Sequence, residues 1–240
     1  MITSISNEKI KEIKLLKNNK NILKEKKFIV EGEHLIIEAF KAGLLLETIS
    51  LEEKDYGVKN TVVSSNVMES ISFLNTASSV IGICKLEDNE TELKDKIIIL
   101  DGIQDPGNLG TIIRSANAFG FNDIVLSNNS VKKYNDKVLR ATQGMIFNMN
   151  VITKDLASFI PYLKDNGYKV YGTDVVNGVN IKSITNCEKI AVVLGSEGTG
   201  ISESVKSLLD SNIYISMNDS CESLNVGVAA SIIMYEINNK

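Results

Sequence analysis

The sequence predicts an α/β chain in two parts, the larger built on a parallel sheet. Three observations carry that expectation. Short β-branched runs alternate with segments whose apolar residues recur at helical spacing, the pattern of strands joined through helices. One run, residues 190–194 (IAVVL), is apolar throughout, as a central parallel strand covered on both faces must be. Residues 87–95 (EDNETELKD) are polar and acidic without periodicity, and they separate two stretches of alternation. The division falls there, with one domain over residues 1–93 and a second over residues 94–240.

In the first part, residues 8–20 are predicted helical, with Ile10, Ile13 and Leu16 or Lys17 along one side. Residues 28–30 form a short strand. Residues 34–42 form a helix with Leu35, Ile36, Ala39 and Phe40 inward, closed by Gly43. Strands at 46–51 and 61–64, a helix at 66–73 and a strand at 80–86 complete a small α/β domain. The second part opens on a strand at 97–100, ended by Asp101 and Gly102. A polar loop with Pro106, Gly107 and Asn108 leads into a helix marked by Leu109, Ile112, Ile113, Ala116 and Phe119, and Gly120 sits where a left-handed C-cap belongs. A strand at 123–126, a helix at 135–143 carrying Arg140, a brief strand at 150–152, a helix at 156–165 and a strand at 168–173 follow. After the central run at 190–194, Ser202 is placed to cap a helix through residue 209, and a strand runs over 212–215. In the last helix, 224–237, Leu224, Val226, Val228, Ala229, Ala230, Ile232, Ile233 and Ile237 cover most of the circumference. Such a helix is buried within its domain or at a subunit interface.

Composition narrows the function. No apolar run approaches the roughly 20 residues of a membrane span, and the first residues lack the basic-then-apolar pattern of a signal peptide. Cys84, Cys187 and Cys221 are too scattered for a disulfide framework or a zinc site, so a reducing cytoplasm and no metal are expected. The net charge of −4 does not advertise a nucleic-acid partner, but its distribution is uneven. Residues 1–27 hold eight Lys against three Glu, a local +5. That segment reads either as a solvated amphipathic helix or as an electrostatic footprint for RNA.

Three constellations stand at strand ends, where open α/β sheets form their sites. The first is Asn108, Gly110 and Arg114. The chain has 24 Lys and only two Arg, Arg114 and Arg140, so an Arg on the polar side of a helix is notable. Arg is suited to planar, bidentate contact with phosphate or carboxylate. The second is GSEGTG, residues 195–200, directly after IAVVL. It is neither a Walker loop nor a dinucleotide fingerprint, and it reads as a ligand loop or as a strand-to-helix turn. Glu197 within it becomes interesting if Arg114 is its neighbour. The third is CESLNVGVAA, residues 221–230, where Ser223 or Asn225 could cap the last helix. Two such loops at the ends of two strands suggest one shared pocket. His34, the one histidine, reads as a helix residue and not as a catalyst.

Together these segments resemble the three signature motifs of the SpoU/TrmH family of RNA ribose 2′-O-methyltransferases, within the SPOUT superfamily. DPGNLGTIIRSANAFG matches the first; VVLGSEGTGIS matches the second, with Ser196 where Asn is common; YISMNDSCESLNVGVAASI matches the third, with Ser216 where Pro is usual and Asp219 where Gly is usual. The N-terminal stretch with KFIVEGEHLIIEAF resembles the substrate-binding domain that precedes the catalytic domain in many members. The resemblance implies a parallel sheet with a deep trefoil knot of SPOUT type over residues 194–237, preceded by a small ribosomal-protein-like RNA-binding domain. It implies a homodimer and the cofactor S-adenosyl-L-methionine. Gly195, Ile215 and Leu224 match positions whose backbone binds that cofactor, with Leu194, Gly200 and Met217 beside them. Arg114 matches the family's proposed general base, and Asn108, Glu197, Ser223 and Asn225 match its other active-site positions, Glu197 being expected to orient Arg114. Because a guanidinium is not deprotonated in proteins, Arg114 is read here as a grip on the RNA phosphate beside the target ribose. Large-subunit rRNA is the expected substrate, with tRNA as the alternative. The competing readings are a nucleotide-binding α/β protein and an RNA-binding member of the same fold that has lost catalysis.

Overall fold

The computed structural model describes residues 1–87, 91–175, 177–184, 188–218 and 220–239. Cys187, Asp219 and part of the expected linker lie outside the described residues.

Asn7 caps α1 (Glu8–Leu15) and Asn18 caps α2 (Asn19–Glu25), each accepting the main-chain N–H two residues ahead. The single helix expected over 8–20 is therefore two, because Asn18 offers the backbone a capping bond in place of continuation. β1 (Lys27–Glu31), α3 (Glu33–Lys41), β2 (Leu45–Ser50), β3 (Lys59–Val62), α4 (Ser65–Ile71) and β4 (Val80–Lys85) follow. The sheet runs β1-β4-β2-β3, with β4 antiparallel to β1 and β2, and β2 parallel to β3. Ile10, Ile13 and Leu16 join Val67, Met68 and Ile71 of α4 over Ile29, Ile49, Ile81 and Ile83 of the sheet. Phe40, expected inward, is 49% exposed. α3 turns Leu35, Ile36 and Ala39 inward, while the Phe40 ring lies against Gly57, where an added Cβ would come within 2.9 Å of it.

The remaining elements are β5 (Lys96–Asp101), α5 (Pro106–Ala118), β6 (Asp123–Ser127), α6 (Asp136–Ala141), β7 (Asn150–Lys154), α7 (Leu156–Asp165), β8 (Lys169–Thr173), β9 (Val179–Asn180), β10 (Ile190–Gly195), α8 (Glu203–Lys206), β11 (Ser211–Tyr214) and α9 (Val226–Asn238). The second sheet has the order β7-β6-β5-β10-β8-β11-β9, and among the described residues every pairing in it is parallel. The expected parallel α/β fold is thus present. β10, the IAVVL strand, lies between β5 and β8 as its unbroken apolar run requires. Ile97, Ile99, Val125, Val170, Ala191 and Val193 on one face pack with Leu156, Phe159, Ile160 and Leu163 of α7. α5 and α9 pair through the Ser115 and Ser231 hydroxyls, 2.7 Å apart, and through Thr111 against Gly227. Gly120 takes the left-handed conformation, φ +75°, that its place after α5 demands.

The contacts group the chain into two compact units, Met1–Asn89 with Lys132–Asn148, and Glu90–Val131 with Met149–Lys240. α6 and its flanks thus belong to the first unit, although a single cut in the sequence assigns them to the second. Aromatic packing is one reason: the Tyr134 and Phe147 rings lie 4.7 Å and 6.1 Å from that of Phe28. His34 Nε2 also donates to the Gln143 carbonyl at 3.2 Å. No described helix is long and apolar enough to cross a membrane.

Candidate active site

The site is built where β5 and β10 end side by side, Asp101 in register with Gly195. After β5 the chain turns, and Asp105 caps α5 by accepting the Asn108 N–H at 2.8 Å. That cap places Asn108 in the first turn of the helix. Asn225 caps α9 in the same manner, its Oδ1 accepting the N–H of Gly227 at 3.0 Å and of Val228 at 3.3 Å.

These two caps set the direction of a hydrogen-bond relay. With its oxygen committed to α9, Asn225 donates from Nδ2 to Asn108 Oδ1 at 2.9 Å. Asn108 in turn donates from its own Nδ2 to Glu197 Oε1. Each amide has one orientation that satisfies both neighbours. The relay ends on a carboxylate, the stronger class of acceptor. Its three members come from the three sequence constellations, one residue from each loop, joined in series.

Glu197 is held by the geometry of its own loop. Ser196 and Gly200 bridge, with Ser196 N–H to the Gly200 carbonyl at 3.2 Å and Gly200 N–H to the Ser196 carbonyl at 2.8 Å. Gly200 adopts φ +67°. A Cβ on Gly195 would stand 2.0 Å from the Gly200 carbonyl carbon and 2.1 Å from the Ile201 nitrogen, so the loop closes only over glycine. Its far end is tied to the sheet by Asp101, a 93%-buried carboxylate that accepts the Ser202 N–H at 2.8 Å. Ser202 occupies the N-cap position of α8, as expected, but makes no side-chain cap bond.

The other expected residues are placed differently. Arg114 projects from α5 as an exposed side chain and, among the described residues, forms no hydrogen bond or ion pair. The expected pairing of Glu197 with Arg114 gives way to the bond with Asn108. Ser223 is exposed and outside the relay; its carbonyl accepts from the Cys221 thiol at 3.4 Å. Leu194 is buried, Ile215, Met217 and Leu224 are half-buried, and Gly200 is exposed. Among the described residues no hydrogen bond engages the main chain of Ile215, Met217 or Leu224. Unpaired main-chain donors and acceptors beside half-buried apolar side chains suit the adenosine of S-adenosylmethionine, which offers a flat apolar body with polar edges. Sequence reading missed Asp101 and Asn180, which carry structural roles in this region. No described cluster of three or more His, Cys, Asp or Glu side chains could hold a metal ion.

Residues 95–235 match the SpoU rRNA Methylase family, and residues 7–82 match the MRM3-like substrate binding domain. Parallel sheet, three-loop site and these matches define the class, an α/β RNA methyltransferase of SPOUT type. Within it, the chain belongs to the SpoU rRNA methylase family. It is 34% identical, over 98% of each chain, to the 23S rRNA (guanosine(2553)-2′-O)-methyltransferase RlmP of Bacillus subtilis. A TrmH-family protein from Porphyromonas gingivalis has the same fold, with TM-score 0.86 and 27% identity over 98% of each chain. So has an AdoMet-bound rRNA methyltransferase from Sinorhizobium meliloti, with TM-score 0.86 and 24% identity over 99% of this chain and 97% of that one.

Proposed function

We propose that this chain transfers a methyl group from S-adenosylmethionine to a ribose 2′-hydroxyl of large-subunit rRNA, as a cytoplasmic homodimer. The observation that carries the reading is the relay Asn225–Asn108–Glu197, which ties the three loops of the site into one unit. The choice of rRNA is supported by the name of the Bacillus relative and by the substrate-binding match over residues 7–82. The choice of cofactor is supported by the main chain of Ile215, Met217 and Leu224, unpaired among the described residues, and by the AdoMet-bound relative. The part expected to bind RNA is residues 1–93, with 94–240 as the methyltransferase domain. The trefoil knot over residues 194–237 that the family resemblance implies is compatible with the strand order, in which β10 inserts between β5 and β8 while β11 lies beyond β8. Pairing of two copies through α9 is supported by its large exposed side chains Val228 and Tyr235, 46% and 54% exposed.

The bound cofactor supplies an electrophilic methyl on a sulfonium. The protein must align the hydroxyl with it and let the hydroxyl proton leave. Transfer exchanges an S–C bond for an O–C bond and releases that proton. A guanidinium cannot accept it. Arg114, exposed and unpaired among the described residues, grips the phosphate beside the target ribose, and a phosphate oxygen or a water takes the proton. Glu197 and Asn108 fix the loop edges between which the ribose sits. Arg114→Lys keeps the charge and loses the planar fork, so methyl transfer should fall about 100-fold; full activity in that variant would remove Arg114 from the mechanism.

The deciding experiment is transfer of labelled methyl from S-adenosylmethionine to purified 23S rRNA and to bulk tRNA, followed by nucleoside digestion. Label in a 2′-O-methylnucleoside from the rRNA pool supports the proposal. Label confined to tRNA overturns the substrate, and cofactor binding without transfer to naked or ribosome-assembled RNA overturns catalysis.

A further inference from the structure

Residues 215–218 lead from β11 towards α9. No described hydrogen bond engages the main chain of Ile215, Ser216 or Met217. Asn218 is bonded within its own turn, to the Cys221 N–H through its carbonyl and to Ser220 through its Oδ1. Among the described residues one bond ties 215–217 to another element: Asn180 donates from Nδ2 to Ser216 Oγ at 2.6 Å.

Asn180 is well placed to act as an anchor. Its Oδ1 accepts the Lys182 N–H at 2.9 Å and caps the short 3-10 turn Ile181–Ser183. That commitment leaves Nδ2 as the donor for Ser216. Its backbone stands opposite Tyr214 in the parallel β9–β11 pair. β9 approaches β11 this closely because residue 178 is glycine: at φ +119°, an added Cβ would lie 2.2 Å from the Asn212 carbonyl oxygen. The amide is therefore fixed by a cap, by strand pairing and by a close approach that excludes a side chain. Ser216 is exposed, so its hydroxyl bond serves the shape of the loop and contributes little to the core.

From this geometry we infer that Asn180 and Ser216 are positioning residues for cofactor binding. The tether holds 215–217 in one conformation before the ligand arrives, so that their main-chain groups need not be ordered at the moment of binding. A loop ordered in advance binds more tightly than one that must be ordered by its ligand. The inference rests on the cofactor reading made above.

The test is calorimetric titration of the full-length protein with S-adenosylmethionine, alongside melting curves without ligand. A neutral hydrogen bond of this kind corresponds to about a 3- to 10-fold change in Kd. Ser216→Ala should weaken binding by that factor with an unchanged ligand-free Tm, and Ser216→Thr, which keeps the hydroxyl, should restore it. Asn180→Ala should weaken binding at least as much and also lower Tm through the lost cap, which is why the Ser216 variants decide. In steady state, Ser216→Ala should raise KM for the cofactor more than it lowers kcat. Wild-type affinity in Ser216→Ala, or a failure of Ser216→Thr to restore it, overturns the tether. Absence of binding by the wild-type protein overturns the cofactor reading itself, and the two failures are thereby distinguished.

Discussion

The side-chain amide of Asn225 does two things that single substitutions can separate. Its oxygen caps α9, and its nitrogen donates to Asn108. Asn225→Ala removes both and should cost about 1 kcal/mol of stability together with activity. Asn225→Asp keeps the cap, since Asp serves as well as Asn at that position and its charge suits a helix N-terminus. It cannot donate, however, and it leaves the Asn108 amide between two carboxylates, those of residues 225 and 197. Melting curves should therefore show near-wild-type stability for Asn225→Asp, while methyl transfer falls about 100-fold. Full transfer by this variant would show that the relay is structural decoration. The three relay members were legible in the sequence because each sits in a glycine- or cap-rich loop beside a strand. Their order of bonding was not, and Glu197 was expected to face Arg114. Asp101 and Asn180 stayed hidden for a plainer reason: their partners, Ser202 and Ser216, are 101 and 36 residues away, and no spacing rule connects them. Ser216 reads in the sequence only as a departure from a pattern, whereas in the fold its hydroxyl has a partner.

At the scale of elements, the glycine loop tests whether close approach or flexibility explains its composition. Gly195 and Gly198 lie three positions apart, yet their surroundings are opposite. A Cβ at 195 would overlap the Gly200 and Ile201 backbone, while a Cβ at 198 would meet nothing within 4 Å. Backbone cannot step aside as the end of a flexible side chain can, so Gly195→Ala should open the loop and displace Glu197. The expected outcome is a folded protein with native far-UV circular dichroism and loss of both cofactor binding and transfer. Gly198→Ala should behave as wild type in the same assays. Equal behaviour of the two variants would mean that the loop needs mobility in place of closure. Strands of this unit were readable wherever β-branched runs were long, as at β5 and β10. β9 was not, because its two residues are a strand only through pairing with β11. Apolar spacing carries across Asn18, so residues 8–20 read as one helix in the sequence, while the Asn18 capping bond divides them in the fold.

For the whole molecule, connectivity decides which experiments on RNA binding are informative. The chain passes between its two units near residue 90, again at 131–132 and again at 148–149. Nothing in the sequence announces the second and third passages, since α6 follows β6 with ordinary helical periodicity and its partners, Phe28 and α3, are about a hundred residues away. Removing residues 1–93 would strip Phe28, which is 1% exposed, from the Tyr134 and Phe147 rings and leave an apolar surface behind. Such a fragment should aggregate, and its failure to bind RNA would say little about charge. Charge itself can be tested with the fold intact. Lys11, Lys20 and Lys24 are exposed on α1 and α2 within the +5 segment, and Lys→Gln at all three leaves the packed face of Ile10, Ile13 and Ile22 untouched. If these lysines neutralise phosphates of a loosely structured rRNA segment, the triple variant should bind a 23S rRNA fragment more weakly. Its slope of log K against log salt should be shallower by about 2, from roughly 0.7 per lost contact. Affinity for S-adenosylmethionine should not change. An unchanged salt slope would assign the lysines to a solvated helix face and move the RNA surface elsewhere on the molecule.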